Sequence, residues 1–463
     1  MPTVPLPDNP NLEHLRKRAR ELQRAVRARD PQALATIAEH RLAPENFQLS
    51  TAQLAIARHY GFASWPRLTR HLAIVGTYAR DPQTSPATGD VADDFCRLAC
   101  LIYTDEDGPE RWSRARQLLA EHPDLPRRSI WAAAAAGDPV AMREHLARTP
   151  ADEQGGPFRW GPLFTLAYAR VGGDALATAR LLLDAGADPN AGYLWKGLPS
   201  PFTVLTGAFG EGEQGRGRQP RHPRSIELAT MLLDAGAEPN DGQGLYNRMF
   251  HADDSHLELL FARGLGGGDG GVWKARLGEA MQSPAEMLRY QLQWAVRHGF
   301  TARVRLLAEH GVDVSAPIDG RTPAQLAAAE GHRDIVDLLV SLGAPRPAMA
   351  PSEQLVAALL AGDRSALKSD LLADVRRSQP GLVVRAQRPE LVAFLVEAGF
   401  DVDGRHEGHT ALHDAAWRGD VPMIEALLAA GADRSVRDDR FDATPLGWAE
   451  HGCQPAAIDA LGL

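Results

Sequence analysis

The side chains best suited to chemistry fall in two neighbouring stretches. One reads Glu211-Gly212-Glu213-Gln214-Gly215-Arg216-Gly217-Arg218-Gln219-Pro220-Arg221-His222-Pro223, and the other runs from Asn240 to His256. Between them, Arg221, His222, Tyr246, Asn247, Arg248, His251, Asp253 and Asp254 offer guanidinium groups for an anion and imidazoles and carboxylates for proton transfer. The phenol and the carboxamide add hydrogen bonds, so the set would suit a ligand pocket. Plainer roles compete for the same residues: Asp253-Asp254-Ser255 would cap a helix, and Asn247 would satisfy a shortened turn.

Elsewhere the chemistry is thinner. His406, His409 and His413 have ligand-like spacing, but His413 is better placed to bond Thr410 than to hold zinc. Cys96 and Cys100 stand one helical turn apart on an apolar face, which suits a core. The run Gly266-Gly267-Gly268-Asp269-Gly270-Gly271 reads as a loop rather than a phosphate cradle. Asp438-Asp439 has no base at a known distance. No catalytic residue, metal site or cofactor is assigned from these patterns.

The elements that must position these residues are short helices in pairs. Between Asp403 and Asp439, Thr410-Ala411-Leu412-His413, Ala415-Ala416, Gly419, Leu427-Leu428 and Gly431-Ala432-Asp433 mark a cap, two apolar stripes and two stops. Thr322-Pro323 and Thr444-Pro445 place proline where a first helical turn tolerates it. Leu181 to Asn190 and Met231 to Asn240 are near copies of one second-helix ending. Two helices cannot bury both stripes alone, so each pair must stack on another.

The motifs resemble the ankyrin repeat, with its period of about 33 residues. That resemblance implies an all-α solenoid of helix-turn-helix repeats with short hairpin fingers. About eleven repeats are expected over residues 94–463. Gly186 and Gly236 lie 50 residues apart, which places an insertion near 207–224, whereas Gly236 to Gly264 is only 28. The Gln219-Pro220-Arg221-His222-Pro223 loop and the block Asn240 to Asn247 are similar to a bacterial, actinobacterial-type ankyrin family.

The resemblance also implies a function: an interaction module whose concave surface holds a protein partner. Carried onto this chain, the contact positions are His406, His409, Trp417 and Arg418 in the clearest repeat. They are Arg321 and Glu330 (with Ile318, Asp319 and Ala329) near Thr322, Arg297 and His298 before Gly299, and Arg440 and Phe441 in the last repeat. Trp417 is the leading anchor, and packing on a neighbouring finger is its plainer role. The alternative function is a small-molecule binding protein or enzyme that uses a pocket in the 207–256 region.

Residues 1–78 form a separate basic helical unit, and 79–93 read as a linker. Leu12, Leu15, Ala19, Leu22 and Val26 give one apolar helix face. Asp30-Pro31 starts a second helix, Ser50 with Gln53 resembles a capping box for a third, and Ser64-Trp65-Pro66 opens a fourth. Residues 11–80 carry 12 Lys/Arg against 5 Asp/Glu, although the whole chain has a net charge of −9. A basic head and a helix–turn–helix outline around Gly61 invite a DNA-binding reading, yet the Trp-Pro opening and the acidic total disfavour nucleic acid. Three cysteines without a pairing framework, the absence of a signal pattern and the absence of a membrane-length apolar run point to the cytoplasm and to no membrane.

Overall fold

Helix after helix begins because the sequence supplies a cap and a proline, and ends because it supplies glycine. The computed structural model of the protein describes residues 11–85, 88–318 and 320–462; Asp319, one of the expected contact positions, lies outside them. At Thr322 the hydroxyl accepts from the Gln325 N–H at 3.2 Å, and the Gln325 carboxamide accepts from the Thr322 N–H at 2.8 Å. This reciprocal box, with Pro323 next in line, starts the helix Pro323–Ala329. Gly419, with φ at 69°, stops Ala411–Arg418 in the left-handed conformation that favours glycine.

Such pairs run the length of the array. They are Val91–Ala99 with Pro109–Glu121, Ile130–Ala136 with Pro139–Leu146, Pro162–Tyr168 with Ala175–Asp184, Val204–Phe209 with Ser225–Asp234, and Gly242–Arg248 with Ser255–Phe261. Next come Pro284–Arg297 with Thr301–Glu309, then Pro323–Ala329 with Arg333–Ser341. Two worn pairs follow: Pro351–Leu360 with the 3-10 turn Arg364–Lys368, and the 3-10 turn Leu382–Arg385 with Glu390–Glu397. Ala411–Arg418 with Val421–Ala429 and Pro445–His451 with Pro455–Gly462 complete the stack. The architecture is an all-α ankyrin-repeat solenoid preceded by a small helical unit.

Side chains in the connecting fingers stitch neighbours together. The Asn190 carboxamide accepts from the Glu238 N–H at 2.8 Å and donates to the Gly236 carbonyl at 2.9 Å. Asn240 repeats the device one pair later, on the Gly266 N–H and the Gly267 carbonyl, both at 2.9 Å. The apolar interior divides into three clusters: Leu15 to Leu72, Ala92 to Ala344, and Leu355 to Leu461.

Several local expectations need correction. The stretch expected as a linker is partly built into the array. Strand β1 (Ala79–Arg80) pairs in parallel with β2 (Gly192–Trp195), which pairs antiparallel with β3 (Pro201–Thr203). The helix Val91–Ala99 also begins inside that stretch, capped by the Asp90 carboxylate. Ser50 caps nothing: its helix starts at Leu49 behind Gln48, with no side-chain cap. The glycine run after Gly264 leads into a further helix, Gly271–Leu277, because Trp273 in its first turn is drawn into the core.

The helix Trp65–Tyr78 docks the N-terminal unit on the array. The Tyr78 ring meets Trp273 edge-on at 5.0 Å, the Arg70 guanidinium donates to the Ala275 carbonyl at 3.1 Å, and Arg67 pairs with Glu279. This is the helix that a DNA-reading outline would place in a groove, and its flank is occupied by protein.

The far end of the stack returns to its beginning. Arg218, in the insertion, donates to the carbonyl of His451 in the last pair and to those of Asp105 and Asp107 in the first, the last at 3.2 Å. A Cβ at Gly217 would lie 2.5 Å from the Cys453 carbonyl, so only glycine allows this approach. The insertion therefore clasps the two ends of the solenoid.

Candidate functional site

The insertion folds over a buried charge cluster. Glu211, fully buried, takes Arg216 at 2.9 Å and Arg221 on one carboxylate oxygen, and Arg248 approaches the other at 3.6 Å. Arg221 also reaches Asp253 at 2.5 Å, and Arg248 reaches it at 3.5 Å. Burial pulls the Arg248 guanidinium down to about 10, against the opposing pull of Glu211. Burial alone would raise Asp253, but the Ser255 hydroxyl and N–H and the Arg221 guanidinium hold it well below the usual carboxylate range.

Of the eight residues expected in a pocket, the structure joins Arg221, Arg248 and Asp253, sets the His251 ring beside their charges, and separates the rest. His222 is buried, its Nδ1 accepting from the Arg224 N–H at 3.1 Å, and burial lowers it to about 3. Asp254 is the N-cap of the helix by its backbone but turns its side chain to Arg303, at 2.5 Å, and the Asp253 carboxylate accepts from the Ser255 N–H at 3.0 Å. The His251 carbonyl accepts from Arg303 at 2.5 Å. Tyr246 and Asn247 face a different space, the cleft described next. Two residues outside the expected set organise the region: Glu211 at the centre of the cluster, and Arg170, whose buried guanidinium holds the Pro220 carbonyl at 2.8 Å and the Gly207 carbonyl at 2.9 Å.

Beside the cluster opens a cleft of about 730 Å³, between the insertion, the chain around Leu198 and the helices Gly242–Arg248 and Pro284–Arg297. Its lining carries the carboxamides of Gln214, Gln219, Gln243, Asn247 and Gln291 together with Trp195, Phe202, Met281 and Met287. Tyr246 stands at its edge with Tyr290, the rings 6.3 Å apart and 11° from parallel. A second cleft, of about 790 Å³, lies where the N-terminal unit meets the array and is lined by Arg67, Arg70, Arg80, Lys196 and Arg276.

The expected contact residues separate into two groups. His409, Trp417, Arg418, Arg440 and Phe441 gather near Trp448, which the repeat register did not single out. Trp448 lies 5.4 Å from His409, 6.2 Å from Trp417 and 6.4 Å from Phe441. Arg440 covers the Phe441 ring at 4.9 Å, Trp417 stacks on His451 at 5.8 Å, and Arg418 pairs with Asp414 at 3.0 Å. Trp417 is thus half-buried against the next repeat, more covered than an exposed edge would be. His406 closes the finger through its backbone pairing with His409. His413 bonds Thr410 at 2.8 Å and the Ala443 carbonyl at 3.0 Å, which keeps it structural.

The other group is dispersed. His298 stacks on Trp294 at 3.8 Å, and the Arg297 carbonyl accepts from His332 and Gln387 at 3.1 and 3.2 Å. Arg321 pairs with Glu353 at 3.0 Å, and Glu330 with Arg385 at 2.6 Å.

Paired short helices, hairpin fingers and stacked apolar cores define an ankyrin-repeat solenoid. The model of the ankyrin-repeat family, in three copies, matches residues 279–346 and 352–457. The crystal structure of the human ASB11 ankyrin repeat domain is similar at 16% identity over 72% of this chain and 96% of that one, with a TM-score of 0.22. A search of curated proteins finds no match. Ankyrin repeats serve as protein-interaction modules. Among the described residues no helix is long and apolar enough to cross a membrane.

Proposed function

We propose that the protein is an interaction scaffold that grips a protein partner through the aromatic and arginine patch around Trp448. The observation that carries this is Phe441, 63% exposed and, among the described residues, the most open of the large apolar side chains, with Arg440 laid over its ring. An exposed aromatic backed by arginine and tryptophan is the composition of an interface anchor. Trp417 and Trp448 sit on helices of stacked pairs, and Arg440 and Phe441 lie on the turn of the finger between them. The bacterial, cytoplasmic setting belongs to the same proposal: three free cysteines suit a reducing compartment, and the Gln219–Pro223 and Asn240–Asn247 blocks resemble an actinobacterial-type family.

The test is affinity purification of the partner from the native host, followed by titration against variants. Phe441→Ala and Trp417→Ala should each weaken the complex by roughly tenfold or more while leaving the melting temperature of Phe441→Ala unchanged. A partner that binds both variants as tightly as the parent chain would refute this placement.

A further inference from the structure

The cleft beside the insertion has an uncommon wall. About a quarter of this chain is charged, so roughly five of its 22 lining residues should be charged by chance, and Glu213 alone is. Glu213 accepts a hydrogen bond from the Tyr246 phenol, so even that charge is engaged. A charged ligand entering here would lose water and find no counter-ion.

Carboxamides replace the charges. Each offers a donor and an acceptor together, which matches the N–H and C=O that an extended peptide presents. Two of them are already pinned. Asn247, 2% exposed, accepts from Gln243 at 2.9 Å and turns its Nδ2 to the Tyr103 phenol; Gln291, 1% exposed, donates to the Leu245 carbonyl at 3.1 Å, and its Oε1 has no partner. Buried polar atoms of this kind are normally satisfied. Apolar side chains lie among them, with Met287 one turn from Gln291 on the same helix, and the apolar contact continues outward, because Leu198 is 52% and Tyr290 37% exposed at the cleft. A small enclosed molecule would not need that outer surface, whereas a chain arriving from a larger body would.

From this we infer that the cleft receives an uncharged, extended segment of the protein partner. Its backbone pairs with the carboxamides of Gln243 and Gln291, and an aliphatic side chain lies against Met281 and Met287. The inference rests on the reading that the chain binds a protein, but it concerns a surface distinct from the Trp448 patch.

The test is selection of a displayed random peptide library on the full-length protein. Enriched peptides should lack charged residues and carry an aliphatic or aromatic side chain. Their affinity should fall at least tenfold in Gln291→Leu and in Leu198→Asp, the second an exposed position where folding is not at stake, and should be unchanged in Phe441→Ala. Charged consensus peptides, no enrichment, or full binding by Leu198→Asp would overturn the inference. So would specific binding of a neutral sugar probe such as cellobiose in place of peptides. If partner binding is lost in Phe441→Ala but kept in both cleft variants, the cleft inference fails and the patch proposal stands.

Discussion

Arg303 is buried, with its guanidinium spread over Asp254 and the carbonyls of Met249 and His251. Cutting it to alanine strands a carboxylate and two acceptors inside the protein. Chemical denaturation of Arg303→Ala should show a loss of about 3–5 kcal/mol, the cost of an uncompensated buried charge. His256 gives the region a pH dependence of known sign. Its ring is fully buried between Arg248 and Arg303, and burial, reinforced by those cations, holds it well below its ordinary value; His222 is held near 3 in the same way. Both rings stay neutral in the fold and take up protons on unfolding near pH 6.5. Their contribution is therefore complete above that pH and fades as pH falls below it, by roughly a kcal/mol per pH unit for each ring. Melting curves between pH 7.5 and 5 should show this decline, with a shallower slope in His256→Phe. A slope equal to that of the parent chain would remove His256 from the account.

At the level of the helix pair, the parts legible in the sequence are those fixed by local chemistry. Thr-Pro starts and glycine stops read correctly because a cap or a left-handed φ is decided within four residues. Leu427, buried in the second helix of its pair, belongs to that legible class: Leu427→Ala should cost about 2–5 kcal/mol, whereas exposed Leu342→Ala should stay within about half a kcal/mol, both read by denaturant titration. The insertion was legible as an anomaly of spacing but not in its contacts. Glu211 lies among glycines and arginines and reads as a solvated loop; only the folded chain carries it to Arg248. Asp254 was misjudged for a similar reason, since its partner Arg303 sits 49 positions away. Ser50 failed as a cap because the helix could start two residues earlier, behind Gln48. Trp448 was overlooked because its role depends on which fingers meet there, and periodicity does not contain that.

Across the whole molecule, the feature of most consequence is the clasp at Arg218. Most solenoid contacts link neighbours, so terminal repeats fray first. Here the last pair is tied to the first through one side chain of the insertion. Arg218→Ala should raise hydrogen exchange in Pro445–His451 and Pro455–Gly462 selectively, leaving the pairs around Leu182 and Leu232 protected; unchanged exchange in the last pair would mean that the clasp adds nothing. The same tie alters the mechanics of the chain. An open stack drawn apart by its ends behaves as a spring that gives way turn by turn at a modest, repeating load. A stack buckled back on itself cannot lengthen until the buckle opens, so its extension trace would carry one early rupture before any periodic yielding, and an arginine in a loop, rather than any repeat, would set the force at which the coil begins to pay out.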